Sequence, residues 1–407
     1  MSPRRPILAV VSPFIDKSHG TERQVAEWTS QLLDDFEVHV YSQRVEDMDF
    51  TKLRWHRIPQ IPGPHLLNFS WWFIANHLWR WWDRRARGIA HDIVYTPGTN
   101  CLDADAISVH IVFAEFLRQM GQEIGFRRNS IRSWPWLIHR RLYYGVVKFL
   151  ERQLYTKPRA QLIVYARKTE NDINRFYGPH DPIPVVYIGV DHKIFNPEFR
   201  LARRNDARRE FGVAEGQIVL LLVGNDWRKK GLFTLLDALP RLSDLPVLLM
   251  IAGNDEKHSY ESLIKKSGLT DRVRFLPTQQ DVTFYYAAAD VYVGPSLEDT
   301  FALPPEEAMA CGLPVITTVT NGTSEIMTDG VDGYILTDPG DVEALASKIR
   351  LLCENSELRQ RVGEAAAQTA RKYTWERNGQ QFREIFAEIL RRKNSRAQHS
   401  VPGNAKF

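Results

Sequence analysis

The chain has 407 residues, 43% hydrophobic and 25% charged, with 53 Lys and Arg against 49 Asp and Glu for a formal net charge of +4. That length is too great for one comfortable core and predicts two domains, while the composition is that of an ordinary soluble globular protein. The small charge excess gives no support to nucleic-acid binding, and three widely separated cysteines, Cys101, Cys311 and Cys353, offer neither a metal spacing nor a disulfide framework and favour a reducing compartment.

Taken in chain order, Arg4 and Arg5 precede an apolar run over 7–11, but Pro13 and Asp16 soon interrupt it. The run therefore reads as a first strand rather than an export signal. No segment offers the roughly 20 apolar residues that a spanning helix needs, so a cytoplasmic location is expected. The pattern over 22–33 sets Val25, Ala26, Trp28, Leu32 and Leu33 on one helical face, and 36–41 reads as the next strand. A β–α–β opening belongs to a parallel sheet with covered faces. His19-Gly20-Thr21-Glu22 joins strand to helix; Gly20 permits close approach of a ligand and Thr21 suits a helix start.

Between 68 and 87, Trp71, Trp72, Trp79, Trp81 and Trp82 are interleaved with Arg80, Arg84, Arg85 and Arg87. Two readings stand: a core helix with a basic outer face, or an interfacial surface with aromatics at headgroup depth and arginines toward lipid phosphate. A second basic aromatic stretch over 134–149 adds to the latter. Runs over 93–95 and 162–165 fit further strands, and His110 follows the apolar segment 106–109.

Residues 182–196 read as a crossover into a second unit, and the basic run 200–209 as a solvated helix or linker. A strand over 218–223, the loop Gly224-Asn225-Asp226-Trp227-Arg228-Lys229-Lys230-Gly231 and a helix over 232–239 start another sheet, continued by 246–252, 273–276, 291–294 and 315–317. Helical patterns follow over 342–352, 357–371 and 375–391. The expected plan is two αβ units, 1–187 and 188–375. A C-terminal helix over 376–393 is expected to cross back to the first, with a mobile tail over 394–407.

The densest motif is Glu298-Asp299-Thr300-Phe301-Ala302-Leu303-Pro304-Pro305-Glu306-Glu307-Ala308-Met309-Ala310-Cys311-Gly312, a strand exit leading into a short helix with a glycine at its stop. A helix start of this kind suits a diphosphate held on amides, with carboxylates gripping hydroxyls beside it. In these residues, with Lys230-Gly231 and with Gly189-Val190-Asp191, Phe195 and Pro197, the chain resembles the retaining, nucleotide-sugar-dependent glycosyltransferases of the family 4 type, which include glycogen-synthase-like and bacterial cell-envelope enzymes.

The resemblance implies an α/β fold of GT-B architecture with two facing Rossmann-like domains, 1–187 on the acceptor side and 188–375 binding the nucleotide sugar. By register, Asp299 takes the place of a family glutamate facing the transferred sugar, with Glu298 beside it to compensate for the shorter arm, and Glu307 holds the ribose hydroxyls. Lys230 grips the diphosphate, joined by the amides of Thr300, Phe301 and Ala302. The family's arginine after the glycine matching Gly224 is Asn225 here, and Arg228 is read as its replacement. Gly20 approaches the donor phosphate and His110 the donor sugar. His110, Asp299 and Lys230 form the implied catalytic set. Neither a cofactor nor a metal is implied. The donor is a nucleotide diphosphate sugar of UDP or GDP, and the acceptor a cell-envelope glycan or lipid-linked molecule, with an anionic membrane surface as a further partner at the inner face. A noncatalytic sugar-binding protein and a nucleotide-sugar epimerase are the competing readings. Glu325, in the loop Asn321-Gly322-Thr323-Ser324-Glu325, is read as an orienting or capping residue.

Overall fold

Unbroken apolar runs become central strands, because a parallel sheet covered on both faces needs apolar side chains at every position rather than at alternate ones. Val247–Ala252 and Ile7–Val11 are buried along their whole length. In the computed structural model, which describes residues 4–17, 20–120, 134–156, 159–277 and 281–399, the chain divides into two units, Met1–Tyr187 with Trp375–Phe407, and Ile188–Thr374.

The first unit runs β1 (Ile7–Val11), β2 (Phe14–Ile15), α1 (Gly20–Ser30), β3 (Glu37–Ser42), β4 (Arg44–Val45), β5 (Leu53–Arg57), α2 (His65–Ala86), β6 (Ile93–Pro97), β7 (Ala106–Val109), α3 (Phe113–Met120), α4 (Trp134–Tyr155), β8 (Gln161–Val164) and α5 (Arg167–Tyr177). Its main sheet is parallel, in the order β5-β3-β1-β6-β7-β8. The second unit runs α6 (Pro197–Glu210), β9 (Ile218–Val223), α7 (Leu232–Ala238), β10 (Val247–Ala252), α8 (His258–Lys266), β11 (Val273–Phe275), α9 (Thr283–Ala288), β12 (Val291–Val293), α10 (Leu303–Ala310), β13 (Val315–Thr318), β14 (Tyr334–Leu336), α11 (Val342–Glu354) and α12 (Ser356–Ala370). Its sheet repeats the pattern as β11-β10-β9-β12-β13-β14.

Both orders are the doubly wound 3-2-1-4-5-6 arrangement, in which the winding reverses between the first and fourth strands and opens a crevice at their C-terminal ends. In the first unit the reversal lies between β1 and β6, and in the second between β9 and β12.

The last helix, α13 (Trp375–His399), belongs to the first unit. Phe382 stacks on Trp28 of α1 with ring centroids 4.4 Å apart, Arg383 pairs with Asp35 at 2.6 Å and Lys393 reaches Asp105 at 2.9 Å. The helix continues past 393, where a tail was expected to begin; residues 400–407 of that tail lie outside the described residues. The basic run on α6 is structural. Arg200 donates to the carbonyl of Cys311 (2.7 Å), while Arg204 and Arg208 pair with Asp290 at 2.5 and 3.1 Å.

A buried polar chain ties α2 to the sheet of the first unit. His56 Nδ1 lies 2.6 Å from Asp83 on α2, His56 Nε2 is 2.9 Å from His39 Nδ1, and the Tyr41 hydroxyl donates to Asp83 (2.7 Å) beside His91 (3.1 Å). Burial lowers the affinity of all three histidines for protons, to a pKa of about 4 for His56 and His91, and in His56 it outweighs the pull of Asp83. The unfolded chain, titrating near 6.5, takes up these protons first, so their contribution to stability is full above that pH and drains away as pH falls toward 4. Acidification over this window is expected to cost on the order of 3 kcal/mol for each of His56 and His91, with His39 acting in the same direction. Urea melts across the window, compared between the wild type and His91→Gln, check this; an equally steep acid loss in the variant contradicts it.

Candidate active site

In the second unit, the loop after β9 is pinned by Trp227, which is fully buried, stacks on Phe275 with centroids 5.0 Å apart and donates its backbone N–H to Asp255 at 2.7 Å. With the tryptophan drawn inward, Arg228 is left exposed and Lys230 half-buried. Gly231 has a φ of +80°, and a Cβ there would collide with the carbonyl of Pro295, so only glycine lets this loop press against the one leaving β12. The two loops flanking the switch point of this sheet therefore touch, and the Lys230 ammonium forms an ion pair with Asp299. Their side chains are only 16% and 20% exposed, which shields the pair from solvent screening more than a surface pair.

Asp299 is itself clasped by the loop after β13: its N–H donates to Thr320 O and its carbonyl accepts from Gly322 N, both at 3.1 Å. Asn321 completes the clasp, because its Oδ1 accepts from Thr323 N (3.1 Å) and Ala302 N (3.3 Å). The side-chain cap of the short 3-10 turn Gly322–Ile326 is therefore Asn321, and Glu325, read from the sequence as an orienting or capping residue, lies within the turn.

The start of α10 has few amides to offer a phosphate. Pro304 and Pro305 lack N–H groups within its first turn, and the Ala302 amide is directed at Asn321. Counter-charge for an anion at this crevice accordingly depends on Lys230 and the exposed Arg228 more than on the helix start. Of the other motif residues, Glu298 and Thr300 are half-buried and Phe301 is buried. Glu307 is buried one turn into α10, where its Oε2 accepts from the Tyr286 hydroxyl at 2.6 Å. Tyr286 went unnoticed in the sequence, where it sits within an apolar aromatic run and resembles core; only the fold sets it beside Glu307.

In the first unit, a cavity of about 420 Å³ opens at the C-terminal ends of β1, β6 and β7. Thr21, Glu22, Asn68, Asn100 and His110 give it polar groups, and Phe69, Trp72 and Tyr143 give it aromatic faces. His110 follows β7, with Nε2 3.1 Å from the Ser108 hydroxyl and its ring 4.6 Å from that of Tyr165. Burial pushes its pKa down to about 3, so it works as a neutral hydrogen-bonding group at physiological pH. Gly20 opens α1 next to the lining residues Thr21 and Glu22, and a Cβ there would meet open space. Packing within the protein therefore does not demand glycine at this position. His19 lies outside the described residues.

The aromatic helix has a buried and an exposed side. On α2, Trp72 is buried and donates to Asn100 Oδ1 at 3.1 Å, and Trp71 and Trp79 pack against the core, while Trp81 and Trp82 are 61% and 57% exposed. On α4, the side chains of Trp134 and Trp136 lie outside the described residues. Among the described residues no helix is long and apolar enough to cross a membrane.

Profiles of known families match both units: Glycosyltransferase Family 4 over residues 18–194 and Glycosyl transferases group 1 over 203–369. Among curated relatives, the D-inositol 3-phosphate glycosyltransferase of Corynebacterium urealyticum is 31% identical over 241 residues, covering 56% of each chain. The chain spans about half the length of the curated relatives it matches. Among solved structures, WaaG, a glycosyltransferase involved in lipopolysaccharide biosynthesis, aligns with a TM-score of 0.75 at 22% identity over 93% of this chain and 99% of its own. Anabaena Alr3699/HepE in complex with UDP-glucose aligns with a TM-score of 0.68 at 18% identity, over 94% and 99%. These likenesses show the GT-B fold.

Proposed function

We propose, because this chain belongs to the family 4 and group 1 glycosyltransferases, that it transfers a hexose with retention from a UDP- or GDP-sugar to a cell-envelope glycan or lipid-linked acceptor, working as a peripheral protein at the inner face of the membrane. The observation that carries this reading is the Lys230–Asp299 pair where the β9 and β12 loops meet at the switch point. A sugar-binding module needs hydroxyl partners but has no use for a half-buried lysine held against a carboxylate at the switch point of the sheet. One neighbour's name fits this acceptor class, since WaaG is a glycosyltransferase involved in lipopolysaccharide biosynthesis, whereas the curated relative's name points to a small water-soluble acceptor, an inositol phosphate.

In the resting chain Lys230 and Asp299 neutralise each other. An incoming diphosphate competes for the ammonium and releases the Asp299 carboxylate to accept from sugar hydroxyls. As the anomeric carbon–oxygen bond to the β-phosphate breaks, negative charge grows on the leaving diphosphate, where Lys230 and Arg228 stabilise it. The acceptor oxygen bonds to the same face of the anomeric carbon, and its proton passes to the departing diphosphate. His110, kept neutral by burial, is assigned to hydrogen-bond and orient a sugar hydroxyl.

Incubation with a panel of nucleotide sugars and membrane or glycan extracts, with products identified by mass spectrometry and anomeric NMR, tests the reading. A glycosylated acceptor with retained configuration is expected; an altered sugar nucleotide formed without any acceptor would instead identify an epimerase. Because Lys230 and Arg228 supply counter-charge, transfer at saturating substrates is expected to survive chelation and verified metal removal. Complete loss, recovered on adding magnesium or manganese, overturns that mechanism.

A further inference from the structure

We propose that the outer sides of α2 and α4 form a docking surface for an anionic lipid bilayer, which deepens the reading of a lipid-linked acceptor and rests on it. The first observation is clustering. Nine of the nineteen large apolar side chains exposed among the described residues lie on these two helices, far more than scattered surface residues would place there. On α2 they are Leu67, Ile74, Leu78, Trp81 and Trp82, spaced by about two turns, then by one, along a single side. On α4, Ile138, Leu142, Val146 and Phe149 repeat at one-turn intervals.

The second observation is charge. α2 contains one acidic residue, Asp83, and α4 contains one, Glu151, and both are buried in internal hydrogen bonds. Every exposed charge described on the two helices is therefore cationic: Arg84 and Arg85 at the end of α2, and Arg141, Lys148 and Arg152 in a line along α4. A helix turned to water ordinarily mixes both signs. Asp103, exposed beside α2, is held by Arg80 and His77. Apolar side chains on helices whose own exposed charges are all cationic complement a lipid surface, with aromatics at headgroup depth and arginines on lipid phosphates. A second copy of this chain would bring like charges together, which disfavours self-association through this face.

The third observation is continuity with the cavity. The helices pack on each other through His65 and Phe69 against Tyr143, with centroids 4.5 and 5.5 Å apart. Their other sides line the 420 Å³ cavity with Asn68, Phe69, Trp72, Tyr143 and Val147. The elements that would hold the bilayer are thus the ones that shape the candidate acceptor cavity, which suits an acceptor whose polar head reaches the protein while its tails stay in lipid.

Flotation of the full chain with vesicles of equimolar phosphatidylglycerol and phosphatidylcholine, and with phosphatidylcholine alone, tests the surface. Binding to the anionic vesicles only is expected, with a blue shift of tryptophan emission. Trp81→Ser/Trp82→Ser should abolish that shift, and Arg84→Glu/Arg85→Glu should weaken binding by about tenfold or more. Circular dichroism and nucleotide binding check folding. Transfer to a water-soluble acceptor, measured in parallel, separates failure of docking from failure of the proposed activity. The inference is overturned if the wild type stays with neither vesicle, if it binds both equally, if either folded double variant floats like the wild type, or if the tryptophan variant changes the oligomeric state without changing flotation.

Discussion

Lys230→Ala is expected to weaken donor binding by about 2 to 5 kcal/mol, or roughly 30-fold and upward in Kd, while leaving the protein folded. The size follows from geometry. The ammonium is only 16% exposed, it faces Asp299, and the two prolines of α10 leave the helix start poor in amides, so the more exposed and solvent-screened Arg228 is left to supply the counter-charge. Removing it also leaves Asp299 as an uncompensated carboxylate where an anion must bind. Lys230→Met keeps most of the stem volume and should behave in the same way, which separates charge from packing. Calorimetric titration of UDP and GDP at two salt concentrations, with circular dichroism as control, measures it; the salt dependence of binding should shrink in both variants. A folded Lys230→Ala protein with unchanged donor affinity and turnover would sink the assignment of the site.

Asp299 and Glu307 are expected to fail differently. Asp299→Asn removes the carboxylate assigned to the sugar and should lower kcat by about 10- to 100-fold, because an interaction that strengthens in the transition state is lost. The same change frees Lys230, so affinity for the bare nucleotide should hold or rise. Glu307→Gln should instead weaken nucleotide binding by on the order of 2 kcal/mol. Tyr286→Phe, which deletes the 2.6 Å bond to Glu307 Oε2, should produce a milder version of the Glu307 effect with kcat almost unchanged. Separate titrations with nucleotide and nucleotide sugar, alongside steady-state kinetics, distinguish the four proteins. Normal activity in both acidic variants, or identical defects in both, would reject this division of labour.

The αβ alternation and the positions of the loops that carry Lys230 and Asp299 were legible in the sequence, because buried parallel strands need unbroken apolar runs and glycine punctuates the turns after them. The motif around Asp299 and Glu307 was legible for a related reason: carboxylates, two prolines and a closing glycine at set spacing have few structural explanations together. What could not be read were partnerships across loops distant in sequence. Asn321 as the clasp of the Ala302 amide, and Tyr286 as the support of Glu307, each join residues 19 and 21 positions apart. No local periodicity marks such a pair.

By itself, then, the sequence determined two Rossmann-like sheets and which loops carry charge, since local apolar patterning and turn chemistry act over a few residues. The tertiary structure decided the rest. Only the β9–β12 adjacency at the switch point brings Lys230 to Asp299 across 69 positions. Trp72 and Trp81 have equal intrinsic hydrophobicity, yet the packing of α2 on its sheet buries the one and leaves the other in solvent. Burial is a property of what lies opposite a side chain, and that is set by the fold rather than by the residue.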